Sequence, residues 1–155
     1  MDIGKTLYVT ERKKWREWLT KNHNKEKDIW LIYYRKSSNK KRIPYNDAVE
    51  EALCYGWIDS IIKGIDQEKF AQRFSPRKSN SVLSQMNRER IHRLIEKKKM
   101  TVKGLAAVKH VFDDSLKRSK HIIKADILNS LKEEKNIWEN FQKFPESYKR
   151  IRNEW

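Results

Sequence analysis

The chain contains little cysteine, glycine or proline, with one Cys, four Gly and three Pro in 155 residues. The lone Cys54 excludes an internal disulfide and a cysteine-rich metal site. Glycine is too scarce for a phosphate-binding glycine loop. The four histidines are scattered and lack metal-ligand spacing. We therefore expect no metal and no cofactor.

Long apolar runs are also missing. No stretch approaches the roughly 18 apolar residues of a transmembrane helix. Residues 1–15 lack the apolar core of a signal peptide. We therefore expect a cytoplasmic protein without a membrane span. Apolar residues make up only 37% of the chain, but six Trp and six Tyr each bury a large area, so a core can form.

The formal net charge is +15, and most of it lies in residues 77–124, which carry 14 basic and 4 acidic side chains. Such a surplus is typical of a nucleic-acid partner. Lysines outnumber arginines 24 to 12, which equally indicates a solvated surface shaped by AT-rich codon use. Phe112 is the only aromatic residue in 77–124, so a stacking surface for single strands is not evident.

Residues 1–78 mix helix and strand patterns. An apolar face at i, i+3, i+4 predicts a helix over 11–22, with Thr10 as its cap. A second helix is predicted from 44 to 55 and is stopped by Gly56. Strands are predicted at 28–35, 57–63 and 70–75, after a short β-prone run at 7–9.

From Ser79 onwards the pattern is helical, interrupted by a predicted polar connection at 113–120. The final helix ends on Trp155 without a stop signal, so we expect it to continue beyond this residue. A sheet followed by helices predicts an α+β fold, with a sheet-containing lobe at 1–78 and a helical lobe at 79–155 packed on it. The predicted apolar faces of the helical lobe are Leu83–Asn87–Ile91–Leu94 and Ile137–Trp138–Phe141–Phe144.

One segment, Glu50–Ser84, resembles the signature of the YdeI/OmpD-associated family, also called bacteriocin-protection proteins. The most specific runs are Ala48–Ser60 (AVEEALCYGWIDS) and Arg73–Lys78 (RFSPRK). Weaker matches extend from Trp15 to Trp155. The chain departs from the family pattern at Leu83, where the family has Trp, and at Lys98, where it has Gly. The resemblance implies a role in envelope stress or in protection from cationic peptides.

A candidate anion cleft is predicted around the hairpin at 57–75 and the helix that follows it. Guanidinium groups, hydroxyls and a helix N-terminus together suit an anion. The alternative interpretation is structural, with an Asp59–Arg73 ion pair and serine caps. The candidate residues are Glu51, Trp57, Asp59, Arg73, Arg77, Lys78, Ser81, Ser84 and Asn87.

Three functions stay open at this level. The first is a non-enzymatic protein of the resembled family that binds a small anion or a protein partner. The second is a nucleic-acid-binding module that uses residues 77–124. The third is an enzyme built on Glu51, Asp59 and Arg73. Cys54 is interpreted as a core residue because no base lies near it in the sequence.

Overall fold

The computed structural model describes residues 2–79, 81–112 and 123–152. Its sheet has four strands, which are β1 (Thr6–Leu7), β2 (Ile29–Tyr34), β3 (Trp57–Gly64) and β4 (Lys69–Pro76). They lie in the order β1-β2-β4-β3. β1 pairs with β2 in parallel, and the other two pairings are antiparallel. β3 therefore forms one edge of the sheet, and its register with β4 shifts between Asp59 and Ile62.

Helices α1 (Arg12–Asn22) and α2 (Tyr45–Cys54) share one core with the sheet. The Trp15 indole nitrogen donates to the Ala48 carbonyl at 2.9 Å, and its ring meets Phe74 edge-on, with centroids 5.5 Å apart. Each fully buried large apolar side chain contributes about 1.5–3 kcal/mol. The predicted inner stripe of α2 is confirmed, since Ala48, Val49, Ala52 and Leu53 are all buried.

The ends of the first two helices differ in how closely they follow the sequence pattern. The N-cap of α1 is Glu11, which is extended at φ −125° and makes no side-chain cap, so the prediction of Thr10 as the cap is wrong. Gly56 ends α2 as predicted, at φ +74°. A β-carbon there would approach that of Ala107 to 2.8 Å, so glycine is required for space as well as for conformation.

The described chain after β4 is mainly helical, so the α+β class is confirmed. Its helices are α3 (Gln85–Glu96), α4 (Val102–Phe112), α5 (Ala125–Glu133), α6 (Lys135–Lys143) and α7 (Glu146–Arg152). Leu83, just before α3, together with Ile91 and Leu94 joins the core. In contrast, no described residue of α5, α6 or α7 is buried, and the predicted aromatic face at 137–144 is at least partly exposed. The predicted connection at 113–120 and Trp155 lie outside the described residues.

Candidate functional site

A cleft opens between strands β2, β3 and β4 and the first turn of α2. Its volume is about 440 Å³, which falls within the range of small-molecule sites. We refer to it as the tyrosine cleft. It is lined by Tyr33, Arg42, Pro44, Tyr45, Asp59, Ser60, Ile62, Phe70 and Gln72.

Strand register explains why these side chains meet. Tyr33 and Phe70 are paired across β2 and β4, and paired residues share a face of the sheet. Their rings stack at 5.3 Å with an interplanar angle of 7°. Gln72 lies two residues further along β4, on the same face. Asp59 is paired with Phe74 and so also faces this side.

Asp59 is the acceptor at the centre of the tyrosine cleft. The Tyr45 hydroxyl and the Gln72 side-chain nitrogen each donate to its Oδ2 at 2.8 Å. Both of these hydrogen bonds reach the same oxygen, which leaves Oδ1 available to a further donor. Partial burial and the hydrogen bond to Asp59 raise the pKa of Tyr45 to about 12, so this phenol remains a neutral donor.

Tyr33 carries a buried polar atom that lacks a partner. The residue is 2% exposed, and its hydroxyl makes no hydrogen bond with any described residue. Burial, reinforced by the negative charge of Asp59, raises the pKa of Tyr33 well above its usual value, so the hydroxyl keeps its proton. An unsatisfied buried hydroxyl costs about 1–3 kcal/mol. A phenylalanine would avoid this cost, so the Tyr33 hydroxyl is an unsatisfied donor on a residue that lines the cleft.

Arg42 provides the positive charge of the cleft wall. Its Nη1 donates to the Tyr34 carbonyl at 3.0 Å, which anchors the half-buried guanidinium. A guanidinium has five N–H donors, so further donors remain for a ligand. The cleft therefore combines one carboxylate, one guanidinium and two neutral phenols against the Phe70 ring.

The structure separates the two residues that were predicted to form the core of an anion cleft. Arg73 pairs with Trp30 of β2 and so lies on the sheet face opposite to Asp59. Its Nε and Nη2 both donate to Asp28 Oδ2, at 2.8 and 2.7 Å. The Asp59–Arg73 ion pair of the alternative, structural interpretation is therefore wrong, because alternation along β4 places Arg73 on the face opposite to the Asp59 carboxylate.

Arg77 and the serines organise the loop before α3. The Arg77 Nη2 donates to the carbonyls of Ser81 and Val82, both at 2.8 Å. Its Nε is buried without a partner among the described residues, and burial lowers the pKa of this guanidinium. Ser81 donates to the Lys78 carbonyl at 2.7 Å, and the Lys78 side chain is exposed. These contacts stabilise the loop, and none of the residues that make them lines the tyrosine cleft.

The remaining candidates also have structural partners. Ser84 caps α3 by accepting from the Asn87 amide at 3.3 Å. The Asn87 side chain accepts from Arg90 at 2.9 Å rather than reaching the cleft. Trp57 is buried in the core and donates to the His23 carbonyl at 3.2 Å. Of the nine predicted residues, Asp59 alone lines the tyrosine cleft.

Glu51 is buried in an ion network between α1 and α2. Its two carboxylate oxygens accept from Arg12 Nε at 2.5 Å and from Arg16 Nη1 at 2.6 Å. Arg12 also reaches Asp47 at 3.1 Å. Burial, together with Glu51, raises the pKa of the Cys54 thiol to about 11, so it stays protonated. Both residues therefore support the interface between the helices.

Sequence patterns missed Tyr33, Arg42, Tyr45 and Gln72. One usable signal was present, because Tyr33 and Gln72 occupy inward positions on strands and carry polar atoms that need partners. A second signal concerned Glu51: Arg12 and Arg16 are four residues apart on α1 and so share the face that carries Trp15. Neither signal identifies the partner in advance.

The fold and the cleft define an α+β protein with a site of small-molecule size. A family model described as a domain of unknown function, DUF8412, matches residues 7–107, and the chain belongs to this family. The matched region includes all four strands, apart from the first residue of β1, and the whole tyrosine cleft. The chain has no significant match among curated proteins, and none among solved structures.

Within the described parts of the chain, no helix combines the length and the apolar character that crossing a bilayer requires. In the same residues, no three His, Cys, Asp or Glu side chains form a group that could hold a metal ion.

Proposed function

We propose that the protein binds a small polar molecule in the tyrosine cleft. The observation that carries this proposal is the Tyr33 hydroxyl, which is buried at the cleft wall without a partner among the described residues. Buried polar groups in folded proteins almost always have a hydrogen-bond partner. A ligand that accepts from Tyr33 would supply it.

The charges in the cleft restrict the class of ligand. Asp59 repels a simple anion such as sulfate, so the bare anion expected from the sequence is not the best fit. Asp59 Oδ1 suits a hydroxyl or ammonium donor, whereas Arg42 and Tyr33 suit a carbonyl or carboxylate acceptor. We therefore favour a neutral or zwitterionic molecule, of the hydroxy-acid, amino-acid or amide type, that carries both groups.

A non-enzymatic binding role in the cytoplasm also accords with the resemblance to the YdeI/OmpD-associated proteins, which we retain as a proposal. Protection from cationic peptides would then depend on the bound ligand or on a protein partner, because a chain of net charge +15 repels cationic peptides. An enzyme that uses Asp59 as a base beside Arg42 is the alternative, since both groups line one cleft.

The proposal is tested by finding the ligand directly. Protein purified under native conditions is denatured, and released small molecules are identified by mass spectrometry. In parallel, ligand-observed NMR against hydroxy acids, amino acids and amides measures binding to the apo protein. We expect binding to weaken at least tenfold in Tyr33→Phe and in Asp59→Asn, because each removes one hydrogen-bonding group.

Tyr34→Phe is the matched control, because Tyr34 is the next residue on β2 and faces the opposite side of the sheet. It should bind as the wild type does. Loss of binding in Tyr34→Phe, or no binder in either experiment, would remove the proposal. Product signals that appear in the NMR mixtures and vanish in Asp59→Asn would favour the enzyme instead.

A further inference from the structure

The corner between α3 and α4 exposes lysines and aliphatic side chains together. We define the α3–α4 corner as residues 95–109. We propose that this corner docks on the surface of an anionic membrane, as a peripheral contact separate from the tyrosine cleft.

Charge is the first observation. Residues 95–109 contain five lysines and one acidic residue, Glu96. All five lysines are exposed, and none is joined in an ion pair with a described acidic side chain. Elsewhere on the domain part of the positive charge is paired with carboxylates, as at Arg12, Arg16, Arg73 and Arg93. The corner therefore presents a local surplus of positive charge, with five lysines against one carboxylate.

Aliphatic exposure is the second observation. Val102 is 86% exposed, and Leu105 and Ile95 are 43% and 39% exposed. On α4, Gly104 and Val108 pack towards the protein. With 100° between successive residues, Val102, Ala106 and Lys109 lie on the opposite, outward face. Exposed aliphatic side chains flanked by lysines are typical of surfaces that settle into the headgroup region of a bilayer.

The backbone of the corner is held in place before any partner arrives. The Lys99 amide donates to the Leu94 carbonyl at 2.9 Å. Arg16 Nη2 holds the Lys99 carbonyl at 3.0 Å, and the Thr101 amide donates to the Cys54 carbonyl at 3.0 Å. A preformed surface loses little conformational freedom on docking.

A membrane fits these observations better than a nucleic acid. Residues 95–109 contain no aromatic side chain on which bases could stack. An exposed valine and leucine gain nothing from phosphates in water, whereas an acyl boundary buries them. Lysines near an anionic leaflet each strengthen binding by roughly fivefold, and the effect fades with salt.

The experiment measures sedimentation of the full chain with vesicles of phosphatidylcholine, alone or mixed three to one with phosphatidylglycerol. We expect binding to the mixed vesicles only. The variant Lys97→Gln/Lys98→Gln/Lys99→Gln should bind roughly 100-fold more weakly. Val102→Ser should bind roughly tenfold more weakly because less apolar surface enters the bilayer. Val102 is 86% exposed, so the Val102→Ser variant should have the same circular dichroism spectrum and melting temperature as the wild type.

Lys13→Gln/Lys21→Gln/Lys25→Gln is the matched control, because it removes the same charge from exposed sites outside the corner. It should retain most of the vesicle binding. Equal losses in the two triple variants would mean that net charge alone acts, and the proposal would be overturned. Vesicle binding of Val102→Ser at the wild-type level would also overturn the proposal. So would binding of the wild type to an oligonucleotide, measured by fluorescence anisotropy, in the absence of any binding to vesicles.

Discussion

Gly104 on α4 lies directly against the backbone of Cys54 at the end of α2. A β-carbon on residue 104 would sit 2.2 Å from the Cys54 carbonyl oxygen. Gly104→Ala should therefore push α4 away from α2 and lower the free energy of unfolding by about 3 kcal/mol. Urea denaturation measures this change. Gly64→Ala is the control, because a β-carbon there meets nothing within 4 Å, and it should be close to neutral.

The ion network around Glu51 predicts that Glu51→Gln, which replaces one carboxylate oxygen by an amide nitrogen, lowers the free energy of unfolding. Glu51→Gln removes the buried charge between Arg12 and Arg16; Arg12 keeps Asp47 and Glu50, whereas Arg16 loses its carboxylate partner. We expect a loss of about 3 kcal/mol in the free energy of unfolding. Glu17→Gln on the exposed side of α1 should change stability by less than about 0.5 kcal/mol. Equal effects of the two substitutions would show that the network contributes nothing.

The backbone conformation of Lys98 predicts that a substitution there raises the free energy of unfolding. Its φ is +53°, in the left-handed region that favours glycine. Lys98→Gly should therefore raise the free energy of unfolding by about 1 kcal/mol. Lys97, with φ −78°, gains no such relief, so Lys97→Gly should be neutral or destabilising by up to about 1 kcal/mol. Thermal melting of both variants checks this difference in sign.

Tyr33→Phe should also stabilise the protein without ligand. The substitution removes a buried hydroxyl that lacks a partner among the described residues, and we expect a gain of about 1 kcal/mol. Tyr45→Phe should instead destabilise it, because Asp59 loses one of its two donors. If chemical denaturation shows Tyr33→Phe to be clearly destabilising, the hydroxyl has a partner within the protein.

The contact between α3 and α7 should depend on pH. The hydrogen bonds from Arg150 Nε and Nη2 to Glu89, at 2.5 and 3.0 Å, hold the Glu89 pKa below its usual value of about 4.3. A lowered pKa in the folded protein means that this stabilisation is complete above the unfolded value and is lost as pH falls through the folded value. NMR shifts of α7 should therefore change reversibly below about pH 4. Glu89→Gln should remove this acid transition, whereas Glu133→Gln should leave it intact.

Local features of the fold followed directly from the sequence. A short apolar and aromatic run bounded by charged loops identified β2, two β-prone runs joined by a turn identified β3 and β4, and Gly56 identified the end of α2. The cap of α1 was less predictable: Thr10 is the better capping residue, but the helix begins one residue later, after Glu11, which makes no side-chain cap.

Partners of charged residues were not predictable in the same way. Alternation correctly predicts that Arg73 and Ser75 share a face of β4. Only the three-dimensional arrangement shows that Asp28, 45 residues earlier, lies beside Arg73 on that face. The tyrosine cleft could not be predicted from the sequence for the same reason. Its donors and acceptors come from β2, β3, β4 and the start of α2, and no local spacing links them.

The register shift in β3 has a consequence for how the protein behaves when crowded. β3 is an edge strand with exposed Ile61 and Ile62, and such an edge can recruit a strand from another copy and seed aggregation. The irregularity between Asp59 and Ile62 breaks the continuous row of amides and carbonyls that an incoming strand would need. Lys63 adds charge beside it. The irregularity between two residues that line the tyrosine cleft thus also disfavours pairing of this edge with a strand from another copy.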